Sequence, residues 1–230
     1  MTIGLLVCDE VRPEYRAEFK DYPDMFQVLF PTYEFKLYQA FKGELPGKVE
    51  ECDCFMATGS SHSVYEDLDW IKKTKAFIKR IYEENGYFIG FCFGHQLMAE
   101  ALGGKVAKAK AGWCVGVHEF KVFRIKQWMR PAKTKVNFLM MCQDQVMELP
   151  KDGVLLAGND ACPNAILQVG NRMLSIQGHP EFTKAYNQVL MEGRVERMGE
   201  EKVGKGIASL EKSIDLELFR SWVGTFLEGN

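Results

Sequence analysis

The stretch Tyr87-Phe88-Ile89-Gly90-Phe91-Cys92-Phe93-Gly94-His95-Gln96-Leu97 decides how this chain folds. Tyr87 to Phe91 is apolar without alternation, the pattern of a strand covered on both faces. Phe93 to Leu102 has the spacing of a helix, stopped by Gly103-Gly104. Between them, Gly90-x-Cys92-x-Gly94 predicts a sharp strand-to-helix turn with a cysteine at its tip. Such a turn strains its central residue and pushes that side chain outward. Glycines two positions to either side remove Cβ atoms that would collide as the chain doubles back. The thiol then stands at a helix N-terminus, where the dipole and free N–H groups favour a thiolate. The same groups can stabilise an oxyanion, and Phe93 N–H is the natural donor. Taken alone, the pattern fits a buried structural cysteine equally well.

Working outward, Ile3 to Cys8 and Cys54 to Ala57 are further continuous apolar runs, and Phe35 to Tyr38 is strand-like. Pro13 to Lys20 can open a helix. From Tyr65 onward the pattern is helical: Trp70, Ile71, Thr74, Phe77, Ile78 and Ile81 share one face, and Asn85-Gly86 ends it. Strand alternating with helix predicts an α/β fold, a mostly parallel sheet with helices on both faces. After residue 114 the character changes. Val115 to Ile125, Asn137 to Met141 and Val154 to Ala157 read as strands. Ala165 to Val169 and Met173 to Gln177 flank Gly170-Asn171 as a hairpin. These predict antiparallel additions at one edge. Two helices, Thr183 to Met198 and Ile214 to Leu227, finish the chain, with Gly199 to Gly206 as a charged, mobile connection. Without a linker or repeat, residues 1–230 read as one domain.

Composition excludes several classes. A net charge of −2 gives no general grip on nucleic acid or anionic lipid. The lysines of Lys105 to Lys110 read as a solvated face. No apolar run reaches membrane-spanning length, and Met1 to Cys8 reads as a strand rather than a leader. Seven cysteines, an odd number without repeating spacing, argue against a disulfide framework and for a reducing compartment, so a cytoplasmic location is expected. Cys52-Asp53-Cys54 lacks partners at zinc spacing, so no metal is expected. No phosphate-binding glycine loop is present, and no cofactor is expected.

A thiolate nucleophile needs a base. Of four histidines, His179 in His179-Pro180-Glu181 follows a strand, as Cys92 does, and both then lie at strand C-terminal ends, where open α/β sheets gather their sites. Pro180 limits the backbone between His179 and Glu181, so the carboxylate can orient the imidazole and stabilise its cation. Thr58-Gly59-Ser60-Ser61 also follows a strand, and Gly59 is the candidate second oxyanion donor. The alternative for that turn is an ordinary loop with Ser60 or Ser61 capping the next helix. His62 and His118 read as ordinary surface or loop residues.

Together these segments resemble class I glutamine amidotransferases. Gly90-Phe91-Cys92-Phe93-Gly94-His95-Gln96-Leu97 with Leu102-Gly103-Gly104 is similar to their nucleophile segment, and Gly178-His179-Pro180-Glu181-Phe182 to their His/Glu segment. Thr58-Gly59-Ser60 resembles their oxyanion turn, and Gln143-Asp144-Gln145-Val146 with Leu149-Pro150 a further signature. The resemblance runs from about Ile3 to Phe182. It implies a flavodoxin-like sheet and hydrolysis of the glutamine side-chain amide through a γ-glutamyl thioester on Cys92, with release of ammonia. It also implies that Gln96 contacts the bound glutamine, that the Gln143-Asp144 backbone holds its amino-acid end, and that His95 is structural. A separate synthetase subunit, as for the glutaminase part of GMP synthase, is one partner it suggests. Two readings stand beside this one: a γ-glutamyl cysteine peptidase acting on γ-glutamyl peptides or conjugates, and a non-catalytic binding protein of the same fold. The chain departs from the family pattern at Cys142, where relatives usually have His, and at Cys114, where stand-alone relatives often have Glu.

Overall fold

Side chains that alternate between two apolar layers build the central sheet. In the computed structural model, which describes residues 1–229, the first half of the chain forms β1 (Thr2–Leu6), α1 (Pro13–Phe19), α2 (Tyr22–Leu29), β2 (Glu34–Tyr38), β3 (Cys54–Ala57), α3 (Asp69–Glu83), β4 (Tyr87–Phe91) and α4 (Phe93–Ala101). Leu5, Met56, Ile89 and Phe91 face one layer, where α2 and the last helix supply Phe26, Phe219 and Trp222. Leu6, Phe55, Ala57 and Phe88 face the other, where α3 and α4 supply Phe77, Ile78, Leu97 and Met98. Both faces are covered, which is why these strands read as continuous apolar runs.

The second half forms β5 (Lys105–Lys108), β6 (Cys114–Val122), β7 (Lys135–Cys142), β8 (Asp144–Glu148), β9 (Gly153–Gly158), β10 (Ile166–Val169), β11 (Met173–Ile176), α5 (Lys184–Glu192), α6 (Val195–Met198), α7 (Glu200–Ser209) and α8 (Leu216–Leu227). The nine-stranded sheet has the order β2-β1-β3-β4-β11-β10-β9-β6-β7. Its first five strands are parallel, and from β11 outward every pairing is antiparallel. β10 and β11 form the expected hairpin, with Gly170 at φ +56° in its turn. The expected α/β architecture with antiparallel additions at one side is what the chain adopts. β5 and β8 form a separate two-stranded ribbon on which Lys105 and Lys108 are exposed.

Three helical segments differ from expectation. Tyr22–Leu29 is a helix that the sequence reading lacks. Asp21 and Asp24 close a capping box at its start, and Pro23 fits its first turn. The single helix expected over Thr183 to Met198 breaks after Glu192, where Gly193 packs against the Tyr15 hydroxyl. Gly199 to Gly206 is not a mobile connection: most of it is α7, seated on β6. A Cβ on Gly206 would lie 2.5 Å from Met191 Sδ and 3.0 Å from Val115 Cγ2. That glycine is a contact point that lets the helix approach the strand.

Candidate active site

The parallel register brings three strand ends to one edge. Ala57 pairs with Gly90, and Ile176 pairs with Phe91, so β3, β4 and β11 finish together. The residues just beyond them are Gly59, Cys92 and the Gln177-to-Glu181 segment, which therefore meet.

Cys92 sits at φ 48°, ψ −97° between β4 and α4. A non-glycine residue there stores about 1–3 kcal/mol of strain, held by its surroundings. Those surroundings are backbone. A Cβ on Gly90 would lie 2.4 Å from the Gly94 carbonyl oxygen, and one on Gly94 2.4 Å from the Ala57 carbonyl oxygen. Phe93 opens α4, so its N–H has no acceptor within the helix. The Gly94 N–H, in contrast, is engaged by the Thr58 carbonyl at 3.2 Å.

His179 is buried and its ring stacks on Phe182 with centroids 4.0 Å apart. Its backbone N–H donates to the Leu139 carbonyl at 2.8 Å, which ties the segment to β7. Nδ1 is 2.7 Å from Glu181 Oε1, and Nε2 is buried with no hydrogen-bond partner among the described residues. Burial alone would lower the ring's pKa, but the nearby Cys92 and Glu181, as anions, outweigh it and raise the pKa to about 10. A Cβ built on Gly59 would stand 3.0 Å from His179 Cε1 and 3.8 Å from Cys92 Cβ. The turn therefore borders both groups, and a side chain on Gly59 would need the His179 ring to shift by a few tenths of an ångström. Ser60 and Ser61 cap no helix: both hydroxyls and the Ser61 N–H point to Asp9 Oδ2, the Ser61 groups at 2.7 Å.

The residues expected at the substrate lie around a cavity of about 270 Å³ that includes Cys92, Gln96, Gln143 and Asp144. Gln96 is buried rather than solvent-facing. Its Nε2 donates to the Asp144 carbonyl at 2.8 Å and to Gln177 Oε1 at 3.1 Å. The Gln143 carbonyl accepts from Ala109 N–H at 2.9 Å. Within the Gln143-Asp144 backbone expected to hold substrate, both carbonyls thus already serve a protein donor, leaving each one free lone pair. His95 lies 2.8 Å through Nδ1 from Ser175 Oγ in the core, and burial pushes its pKa down to about 3.

A family model, glutamine amidotransferase class-I, matches residues 44–193. The chain belongs to the class I glutamine amidotransferase family. It is 28% identical to gamma-glutamyl peptidase 3 of Arabidopsis thaliana, over 72% of each chain. It is 34% identical to gamma-glutamyl peptidase 4 of the same plant, over 64% of this chain and 61% of that one. A solved structure of a glutamine amidotransferase from Thermotoga maritima shares the fold, with TM-score 0.79 over 99% of this chain and 98% of the other, at 19% identity.

In this amidotransferase-family chain the two departures are neighbours. Cys114 and Cys142 are direct partners across β6 and β7. His118, expected at the surface or in a loop, is half-buried in β6, with Nε2 3.1 Å from the Val115 carbonyl and 3.5 Å from Cys114 Sγ. The Cys142 thiol and then His118 pull the Cys114 pKa down against burial, while Cys142 is pushed up. His62 is exposed and pairs with Glu66 at 2.9 Å.

Sequence reasoning missed Gln177, fully buried at the end of β11. Its Nε2 donates to Cys92 Sγ at 3.4 Å. A polar residue ending an apolar strand two positions before His179 was the available signal. It also missed Arg12 and Arg194. Both line the 270 Å³ cavity and also a second, of about 100 Å³, bordered by Cys92, His179, Tyr22 and Tyr186. Among the described residues no helix is long and apolar enough to cross a membrane.

Proposed function

We propose that this chain hydrolyses γ-glutamyl amide bonds through Cys92 and that its substrates are γ-glutamyl peptides or conjugates. The observation that carries the reading is the convergence of a strained cysteine and a carboxylate-oriented histidine at the aligned ends of β4 and β11. His179, with Nδ1 held by Glu181, takes the thiol proton at Nε2. The thiolate attacks the γ-carbonyl carbon, and the oxyanion faces the N–H groups of Phe93 and Gly59. Collapse breaks the C–N bond as His179 returns the proton to the leaving nitrogen. Water then hydrolyses the γ-glutamyl thioester, releases glutamate and restores the thiol. Gln96, Gln143 and Asp144 line the side where the glutamyl end is bound. These steps use no cofactor. The names of the two plant relatives support peptides as the substrate class.

The second reading is glutamine itself, favoured by the matched family, with ammonia passed to a separate synthetase subunit. One assay separates the readings: amine release from glutamine and from γ-glutamyl dipeptides, with wild type and Cys92→Ala. We expect peptides to be cleaved faster, and Cys92→Ala to lose roughly 10³-fold or more on both. A variant as active as wild type refutes the nucleophile. Faster glutamine turnover selects the second reading, and no turnover of either supports a binding protein.

A further inference from the structure

Two arginines beside Cys92 have no role in those steps. Arg194, in the bend between α5 and α6, is half-buried and lines both cavities that reach Cys92. Its Nη1 donates to the Leu190 carbonyl at 3.3 Å. Arg12, Tyr22, Tyr186 and Arg197 stand around it, and among the described residues no carboxylate forms an ion pair with it. A guanidinium held away from water without an anion is unfavourable unless something else supplies the anion.

Nearby carboxylates are already engaged. Asp9 receives the Ser61 N–H and hydroxyl at 2.7 Å, and Glu10 pairs with Arg16 and Lys42, each at 3.2 Å. Arg12 reaches Glu14 only at 3.8 Å with both side chains about half exposed, so that pair contributes little. Asp9 and Glu10 line the same cavity as Arg12 and Arg194, but each is engaged elsewhere, and among the described residues Arg194 has no ion pair with either.

Chemistry says which part of the substrate lies there. His179 must protonate the leaving nitrogen, so that nitrogen faces His179. The cavity bordered by both Cys92 and His179 is the smaller one, where Arg12 and Arg194 converge with Tyr22 and Tyr186. Ammonia from glutamine has nothing to place in it. An amino-acid leaving group carries a carboxylate one carbon away from its nitrogen. Arginine suits that partner because its planar fork binds a carboxylate bidentately.

We propose that Arg194, assisted by Arg12, is a carboxylate subsite for the amino acid released from a γ-glutamyl peptide. The subsite sets the choice of peptide over glutamine. The proposal rests on γ-glutamyl amide cleavage at Cys92 as described above.

The test compares a γ-glutamyl dipeptide bearing a free C-terminal carboxylate with its C-terminal carboxamide, in wild type, Arg194→Gln, Arg194→Lys and Arg12→Gln. Wild type should prefer the acid by roughly 10- to 100-fold in kcat/KM, carried by KM. Arg194→Gln should lose most of that preference, Arg194→Lys should keep part of it, and the more exposed Arg12→Gln should lose a smaller share. The acid-to-amide ratio is internal to each variant, so a general loss of folded enzyme leaves it unchanged. Equal use of acid and amide by wild type, or an unchanged ratio in both glutamine variants, overturns the subsite alone. Turnover of glutamine with no cleavage of either peptide overturns the peptidase reading, and the subsite with it.

Discussion

The five parallel strands and the four antiparallel ones contribute to the site by different means. In the parallel half, backbone places the chemistry: Cys92 is held by the contacts of Gly90 and Gly94 with neighbouring carbonyls, and Gly59 by its place beyond β3. In the antiparallel half, side chains on β7 and in the bend between α5 and α6 border the same cavity, as Cys142 and Arg194 do. His179 joins the two. It follows β11, which pairs parallel with β4, yet its backbone N–H is bonded to Leu139 of β7. The difference teaches that the position of Cys92 tolerates almost no change, whereas the cavity beside it is built from parts that can yield.

The same substitution in each half should expose this contrast most sharply. Ala at Gly94 would put a Cβ 2.4 Å from the Ala57 carbonyl oxygen, an atom inside the β3–β4 ladder that cannot move aside. We expect Gly94→Ala to lose about 3 kcal/mol of stability or to fail to fold. At Gly206 the nearest atom is Met191 Sδ, on a flexible side chain. Overpacking there is offset by the roughly 1 kcal/mol that Ala gains over Gly within a helix. The net change in Gly206→Ala should stay within about 1 kcal/mol. Denaturant unfolding of both variants checks this, and equal losses would break the comparison.

A smaller effect separates two buried amides. Gln177 holds Cys92 Sγ and accepts from Gln96, whereas Asn187 donates to the Met140 carbonyl at 3.1 Å and holds α5 to β7. Replacing either by Leu strips a partner from a buried polar group and should cost about 1–3 kcal/mol of stability. Only Gln177→Leu should also lower kcat, by roughly three- to tenfold, because it alone positions the sulfur. Steady-state rates on protein shown to be folded decide the point. A kcat loss in Asn187→Leu as large as that in Gln177→Leu would mean that the antiparallel half positions Cys92 too.

What could be read in the sequence follows the same division. β1, β3, β4, α3 and α4 were legible because strands covered on both faces and an amphipathic helix leave strong local patterns. The sharp turn at Cys92 and the closeness of His179 to Glu181 were legible because their local constraints, two glycines and a proline, lie within a few residues of them. α7 was misread because Gly204 and Gly206 resemble a joint, and only the contact of Gly206 with Met191 and Val115 shows why a glycine sits in a helix there. α2 was overlooked although its capping box, Asp21 with Asp24, is written in the sequence. Gln177, Arg12 and Arg194 gave no local signal, since their relation to Cys92 arises from sheet register and from helices packed far along the chain.

The subtlest effect concerns one proton at the junction of the halves. His179 is raised to about 10 although burial works against it, because Cys92 on the parallel side and Glu181 behind the ring favour the cation. A histidine whose folded pKa exceeds its unfolded value of about 6.5 adds stability that is complete below that value and is lost as pH rises through about 10. Removing the sulfur in Cys92→Ala leaves Glu181 as the remaining anion, so the ring's pKa should fall and the window of pH-dependent stability should narrow from its alkaline end. NMR titration of the His179 ring, with unfolding measured at several pH values between 6.5 and 10, follows both quantities. If both proteins titrate alike, the thiol does not act on the ring, and the two halves do not meet at a reactive pair.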